Sequence, residues 1–234
     1  MTGTIFITGA NGSLAIPGVD CLLSKYPDYH LVLTVRNTSS SSDANTKRLE
    51  QVISKHPAAA ARTSIRKLDL SDLASVHRFA DSLASEIDQK KLPPIASIIC
   101  NAYYWNMATA AELTSDGLEK ALQINHVSHF ALVLRLISSC TSDSRVVFLG
   151  SDAHEPGKLS FETIPPRLPD DLEDLNKLDD RGDDPQGKGF WRYAVSKLAV
   201  QAVMHALNER LVKVRTRARP PPAVDASVCG FSQV

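Results

Sequence analysis

The sequence predicts an α/β fold, a doubly wound parallel sheet with helices on both faces. Three observations predict it. Short apolar runs near residues 4–8, 31–35, 95–100 and 145–149 are rich in β-branched side chains and bounded by turn residues, as buried strands are. Longer stretches of helical periodicity separate them, at about 14–25, 46–55, 72–89, 117–139 and 192–213. The strict order strand, helix, strand, helix calls for parallel pairing, and right-handed crossovers then wind helices onto both faces.

Each element has a local reason. The first strand runs through Thr4-Ile5-Phe6-Ile7, and Pro17 falls early in the helix after it, where a missing N–H costs little. Residues 38–45 are Ser-rich and read as a mobile surface loop. Ile65 to Leu68 is a shorter strand candidate. Glu155 to Gly189, rich in Pro, Gly and Asp, reads as an inserted loop. Its acidic residues from Asp170 to Asp184 match no calcium-loop spacing and suit a solvated loop better than a cation site. The last part, 214–234, is atypical: a basic, proline-rich stretch, then Ala223 to Val228 as a candidate strand. The whole, 1–234, is expected to be a single domain.

Composition excludes several function classes. Lys and Arg number 26 and Asp and Glu number 26, so no basic excess points to nucleic acid or to a membrane surface. No apolar stretch approaches a membrane span, and the N-terminus lacks the flank of a signal peptide. The cysteines (Cys21, Cys100, Cys140, Cys229) form no CxxC and read as small, buried, reduced side chains of a cytoplasmic protein. His126, His129 and His154 read as surface or packing residues.

The chemistry begins at the first strand's end, in Thr8-Gly9-Ala10-Asn11-Gly12-Ser13-Leu14-Ala15. A glycine turn between strand and helix lets backbone N–H groups approach a pyrophosphate, and the helix N-terminus adds favourable partial charge. Gly9 can take the tight turn and Gly12 allows close approach. A plain strand–helix turn has the same look; the place of this one inside a βαβ pattern favours the phosphate cradle. The second strand ends Thr34-Val35-Arg36-Asn37 with no carboxylate for a ribose 2′-OH, so Arg36 favours NADP over NAD by meeting a 2′-phosphate. After the third strand, Asp69 of Leu68-Asp69-Leu70 either accepts a bond from an adenine amino group or caps the next helix, as Ser71 could.

Tyr193-Ala194-Val195-Ser196-Lys197 puts Tyr193 and Lys197 on one helical face. A nearby ammonium favours phenolate and so lowers a phenol's pKa from near 10. Tyr193 could then give a proton to a carbonyl oxygen or take one from an alcohol. Chance supplies such a pair readily. It gains weight from Ser151, which follows a strand at the edge where open α/β sheets bind ligands. Ser151 could hold the substrate oxygen, or serve as an ordinary turn residue.

Taken together, these residues resemble the short-chain dehydrogenase/reductase family, a single Rossmann-like domain, with fungal NADP-dependent members the nearest in look. The resemblance implies Tyr193 as acid/base and Lys197 as the group that lowers its pKa and binds the nicotinamide ribose. It implies Ser151 as substrate orienter and Asn125, in Gln123-Ile124-Asn125-His126, as holder of a relay water. Gly9, Asn11, Gly12, Ser13 and Leu14 would cradle the phosphates. Asp69 and Leu70 would meet adenine, and Asn101-Ala102 would match the family's Asn-Ala-Gly segment.

The departures from the pattern carry expectations too. Tyr103, with Tyr104 and Trp105 after it, replaces the usual glycine. These aromatics shift the backbone from the ribose, line an apolar substrate pocket, or pack in the core. Ser13 and Ala15 stand where many members have glycine, and the Gly9/Gly12/Ala15 spacing also resembles the family's extended branch. Cys229-Gly230 stands in place of Pro-Gly, and the sheet is expected to lack its C-terminal strand and helix, leaving apolar surface exposed.

The expected function is an NADP-dependent oxidoreductase passing a hydride between nicotinamide and an apolar carbonyl or secondary alcohol. A homodimer through the helices near 117–139 and 192–213 is a further expectation. The alternative is a non-catalytic nucleotide-binding regulator or an inactive truncated homologue, motivated by the C-terminus.

Overall fold

The computed structural model describes residues 3–107, 110–160, 162–176, 184–215 and 223–227. Six parallel strands form one sheet: β1 (Thr4–Ile7), β2 (His30–Val35), β3 (Thr63–Lys67), β4 (Ile95–Cys100), β5 (Cys140–Leu149) and β6 (Ala223–Ser227). Their spatial order is β3-β2-β1-β4-β5-β6. The helices are α1 (Ala15–Lys25), α2 (Ala44–Ser54), α3 (Pro57–Ala60), α4 (Leu73–Asp88), α5 (Lys120–Leu122), α6 (Ser128–Leu136) and α7 (Pro185–Arg215). A π-helical turn, Gln123–Val127, joins α5 to α6.

Two apolar layers sandwich the sheet, as the doubly wound expectation requires. On one side Val19 and Leu23 of α1 and Leu49 of α2 pack on Ile5, Ile7, Leu31 and Leu33. On the other, Val76 and Leu83 of α4, Leu132 and Leu136 of α6 and Val200 and Met204 of α7 pack on Phe6, Ile98 and Val146. Alternate strand residues thus feed opposite layers, the period-two consequence of a sheet buried on both faces. Among the described residues no helix is long and apolar enough to cross a membrane.

Several expectations are corrected. β5 starts at Cys140, five residues before the apolar run, because Ile95 of β4 pairs with Cys140 across a register shift. α7 starts at Pro185, so the inserted loop ends earlier than Gly189. Asp184 Oδ1 accepts from Gly187 N, closing the helix's first turn, and Asp184 Oδ2 accepts from Thr163 Oγ1. The Ser-rich stretch is a surface loop as expected, but only to Asp43, which caps α2 by accepting from Asn45 N and Thr46 N, so Ala44 and Asn45 belong to the helix. Cys21 is exposed and Cys140 half-buried, so of the described cysteines only Cys100 fits the buried reading; Cys229 lies outside the described residues. Ala223–Ser227 pairs with Arg145–Leu149, and β6 forms the sheet edge among the described residues.

Candidate active site

The strand order reverses between β1 and β4, and there a cleft opens beyond the strands' C-terminal ends. Its volume is about 1060 Å³. It runs from Gly9 and Asn11, past Arg36 and the Asp69-Leu70 turn, to Ala102, Ser151 and Tyr193. Gly12, Ser13, Leu14, Asn101, Asn125 and Lys197 do not line it; Ser13 and Leu14 are exposed at the start of α1.

The glycine turn is built on contacts. Gly9 has φ +61, and a Cβ there would lie 2.8 Å from Ala102 Cα, so both conformation and space demand glycine. Gly12 N donates to Gly9 O at 3.0 Å, and Asn11 Nδ2 reaches Thr46 Oγ1 of α2. Asn101 is a clamp: its Nδ2 donates to Thr8 O and Gly9 O at 2.9 and 3.0 Å. Sequence reasoning missed Thr8, whose Oγ1 accepts from Asn101 N and Ala102 N, both at 3.0 Å. With both lone pairs engaged, its hydroxyl donates to His129 Nε2, 2.8 Å away, and His129 Nδ1–H can then donate to Asn125 O. Burial lowers the His129 pKa to about 4, which suits this neutral imidazole in the core. No sequence pattern marks Thr8 or His129, because their partnership spans 121 residues.

Asp69 does not cap α4. Its Oδ1 accepts from Ser71 N and Ser71 Oγ, making a tight turn whose outer face lines the cleft. The helix that follows is preceded by Asp72, which makes no side-chain cap bond.

At the other end, α7 presents Tyr193 and Lys197, 6% and 4% exposed. Lys197 Nζ lies 5.7 Å from the Tyr193 ring centroid and donates to Leu149 O at 2.9 Å. Burial lowers the Lys197 pKa to about 8. The expected lowering of the tyrosine's pKa is not met in the protein alone. Burial raises it, Ser151 pulls it back through a side-chain hydrogen bond, and Lys197 is not among the groups acting on it. The reason is geometric: the ammonium faces the β5 carbonyl and the ring rather than the phenol oxygen.

Asn125, in the π-helical turn, spends its side chain on the scaffold. Oδ1 accepts from Tyr104 N at 2.6 Å, and Nδ2 donates to Tyr104 O and to Ser196 Oγ, both at 2.9 Å. All three aromatics line the cleft; Tyr104 also packs against the core, while Tyr103 and Trp105 are 52% and 45% exposed. The inserted loop adds Lys158, Leu159 and Ser160 to the cleft wall, and α7 adds Phe190.

This cleft suits a dinucleotide. It is as large as the roomiest small-molecule sites, about 1,000 Å³. Its polar lining also changes along its length, from backbone and amide groups at the glycine turn, through the Arg36 guanidinium and the Asp69 carboxylate, to the hydroxyls of Ser151 and Tyr193.

The chain is similar to known proteins. The family model described as the KR domain matches residues 3–151, more than half the chain. A protein called short-chain dehydrogenase iccH, from Talaromyces variabilis, is 34% identical over 172 residues, 70% of this chain and 46% of that one. The chain spans about half the length of the curated relatives it matches. Among solved structures, an uncharacterised protein from Mycobacterium paratuberculosis superposes with a TM-score of 0.70 at 29% identity, over 99% of this chain and 69% of that one. An NADPH-bound carbonyl reductase from chicken fatty liver has the same fold, with a TM-score of 0.63 at 17% identity over 96% and 78% of the two chains. Together with the glycine turn and the Ser151–Tyr193 pair at one end of the cleft, the family match establishes that the chain belongs to the short-chain dehydrogenase/reductase family of oxidoreductases.

Proposed function

We propose that the protein is an NADP-dependent oxidoreductase that interconverts an apolar carbonyl compound and its secondary alcohol, with residues 1–234 acting as one cofactor-binding and catalytic domain. The observation that carries this reading is the single cleft joining the Gly9 turn to the Tyr193 and Ser151 hydroxyls. The Gly9–Leu14 turn and Asn101-Ala102 would hold the pyrophosphate and ribose, Asp69 and Leu70 the adenine, and Arg36 a 2′-phosphate. A related fold that carries NADPH supports that choice by analogy.

When bound, the reduced dinucleotide supplies the hydride. Tyr193, hydrogen-bonded to Ser151 and protonated at neutral pH, gives its proton to the carbonyl oxygen, and Ser151 positions that oxygen. Lys197 would hold the nicotinamide ribose. Asn125 positions the Tyr104 backbone and, through Ser196, the helix that carries Tyr193. The three described cysteines are unbridged, which suits a cytoplasmic location. A homodimer through α6 and α7 would cover Leu134, an exposed apolar side chain of α6, and sedimentation would show it.

The test is to follow NADPH absorbance with a panel of ketones and aldehydes. Tyr193→Phe is expected to lower kcat by at least about a hundred-fold, the scale of general acid catalysis. Equal activity in that variant would overturn the mechanism. NADPH binding without turnover of any carbonyl would favour the non-catalytic regulator.

A further inference from the structure

The segment after β4 is fixed on both sides of Trp105. Before it, Asn125 grips both the N–H and the C=O of Tyr104. After it, the backbone of Asn106 and Met107 presses on Gly189 of α7. A Cβ at Gly189 would lie 2.6 Å from Asn106 O and from Met107 Cα. A large apolar ring left 45% exposed on so firm a support presents a surface for a ligand. That surface meets the reacting end of the cleft, because the indole stands edge-on to the Tyr193 ring with centroids 5.4 Å apart. One side of Tyr193 is apolar: it clusters with Ala153 and Phe190, with Leu159 and Met107 packed against them, while Ser151 and Asp152 lie on its polar side. Of the nearby cations, Lys158 is paired with Glu155 at 3.3 Å and Lys197 donates to Leu149 O.

We propose that Trp105 is a specificity-determining residue that selects carbonyl substrates bearing a flat aromatic ring on the carbonyl carbon. The proposal rests on the reading of this cleft as a carbonyl-reducing site. A carbonyl oxygen held at the Tyr193 and Ser151 hydroxyls leaves its substituent beside the indole. A planar ring meets an indole over its whole face and gains the directional attraction between aromatic rings. A puckered saturated ring of the same size touches it through a few hydrogens. That difference corresponds to about ten-fold in binding.

The experiment compares acetophenone with cyclohexyl methyl ketone, which share one carbon skeleton and one carbonyl position. With NADPH, the wild type is expected to favour acetophenone about ten-fold in kcat/KM, mainly through KM. The ratio is expected to fall to near one in Trp105→Ala and to persist in Trp105→Phe. Equal wild-type values, or an unchanged ratio in Trp105→Ala, would overturn the proposal. Saturation-transfer NMR with acetophenone gives a readout that needs no turnover: ring-proton signals in wild type and Trp105→Phe, lost in Trp105→Ala. If neither ketone is reduced, the carbonyl-reductase reading fails for these substrates and the NMR decides alone. Signals that depend on Trp105 support the aromatic subsite, and signals indifferent to it, or absent from wild type, overturn it.

Discussion

Lys197 shows what a residue's surroundings do that its place in a motif cannot foretell. Its partner Tyr193 lies one helical turn away in sequence, and that much was legible from the i, i+4 spacing. Its state was not, because burial of the amine beside the end of β5 brings the pKa from 10.5 down to about 8. The sign of the stability effect follows. Below pH 8 the amine is charged in both folded and unfolded chains. Between about pH 8 and 10.5 the folded chain has lost the proton that the unfolded chain still holds, so stability rises with pH in that window. The shift corresponds to on the order of 3 kcal/mol. Urea unfolding of wild type and Lys197→Met at pH 7 and pH 10 should show the wild type gaining about this much relative to the variant. Parallel pH curves for the two proteins would mean that the buried amine keeps its ordinary pKa.

Between elements, the important joints are polar and distant in sequence. The π-helical turn between α5 and α6 carries Asn125 to a point where it joins the segment after β4 to α7. Periodicity predicts a helix over 117–139, and a helix does run from Lys120 to Leu136; the π-helical turn within it leaves no trace in that pattern. The start of α7 was hidden for a related reason. Gly187 and Gly189 read as helix breakers, yet each makes room for a neighbour: Thr163 and Asp184 at one, Asn106 and Met107 at the other. Close approach by another segment outweighed helix propensity. Asn125→Ala would leave the half-buried Tyr104 N–H and C=O and one contact of Ser196 unmet. The expected loss is about 1–3 kcal/mol in urea unfolding, with a higher KM for the carbonyl substrate as the Tyr103–Trp105 segment loosens. A change within about 0.5 kcal/mol, the range of ordinary surface substitutions, would show that water replaces the amide there.

Across the whole molecule, the strand order follows from helical crossovers that the alternating pattern already required, and it puts the cleft where the winding reverses. The cleft draws one wall from the β1–β3 half, through Gly9, Arg36 and Asp69, and the other from the β4–β5–α7 half, through Ala102, Ser151 and Tyr193. The inserted loop's share of that wall was not legible, since Leu159 reaches it by packing on a helix that follows it in the chain. A ligand spanning both halves must stabilise the entire fold, because it binds only when both are in place. At a hundred times its dissociation constant such a ligand adds about 2.7 kcal/mol. For a chain of this size that raises Tm by roughly 5–10 °C. Thermal unfolding should therefore show this shift with NADPH and a smaller one with NADH at the same concentration. Arg36→Glu should reverse the order, since a carboxylate repels a 2′-phosphate and accepts from a free 2′-OH. An equal shift from both dinucleotides would remove Arg36 from the recognition of the 2′ position. No shift from either would mean that the cleft takes some other ligand, and the proposed hydride chemistry would fall with it.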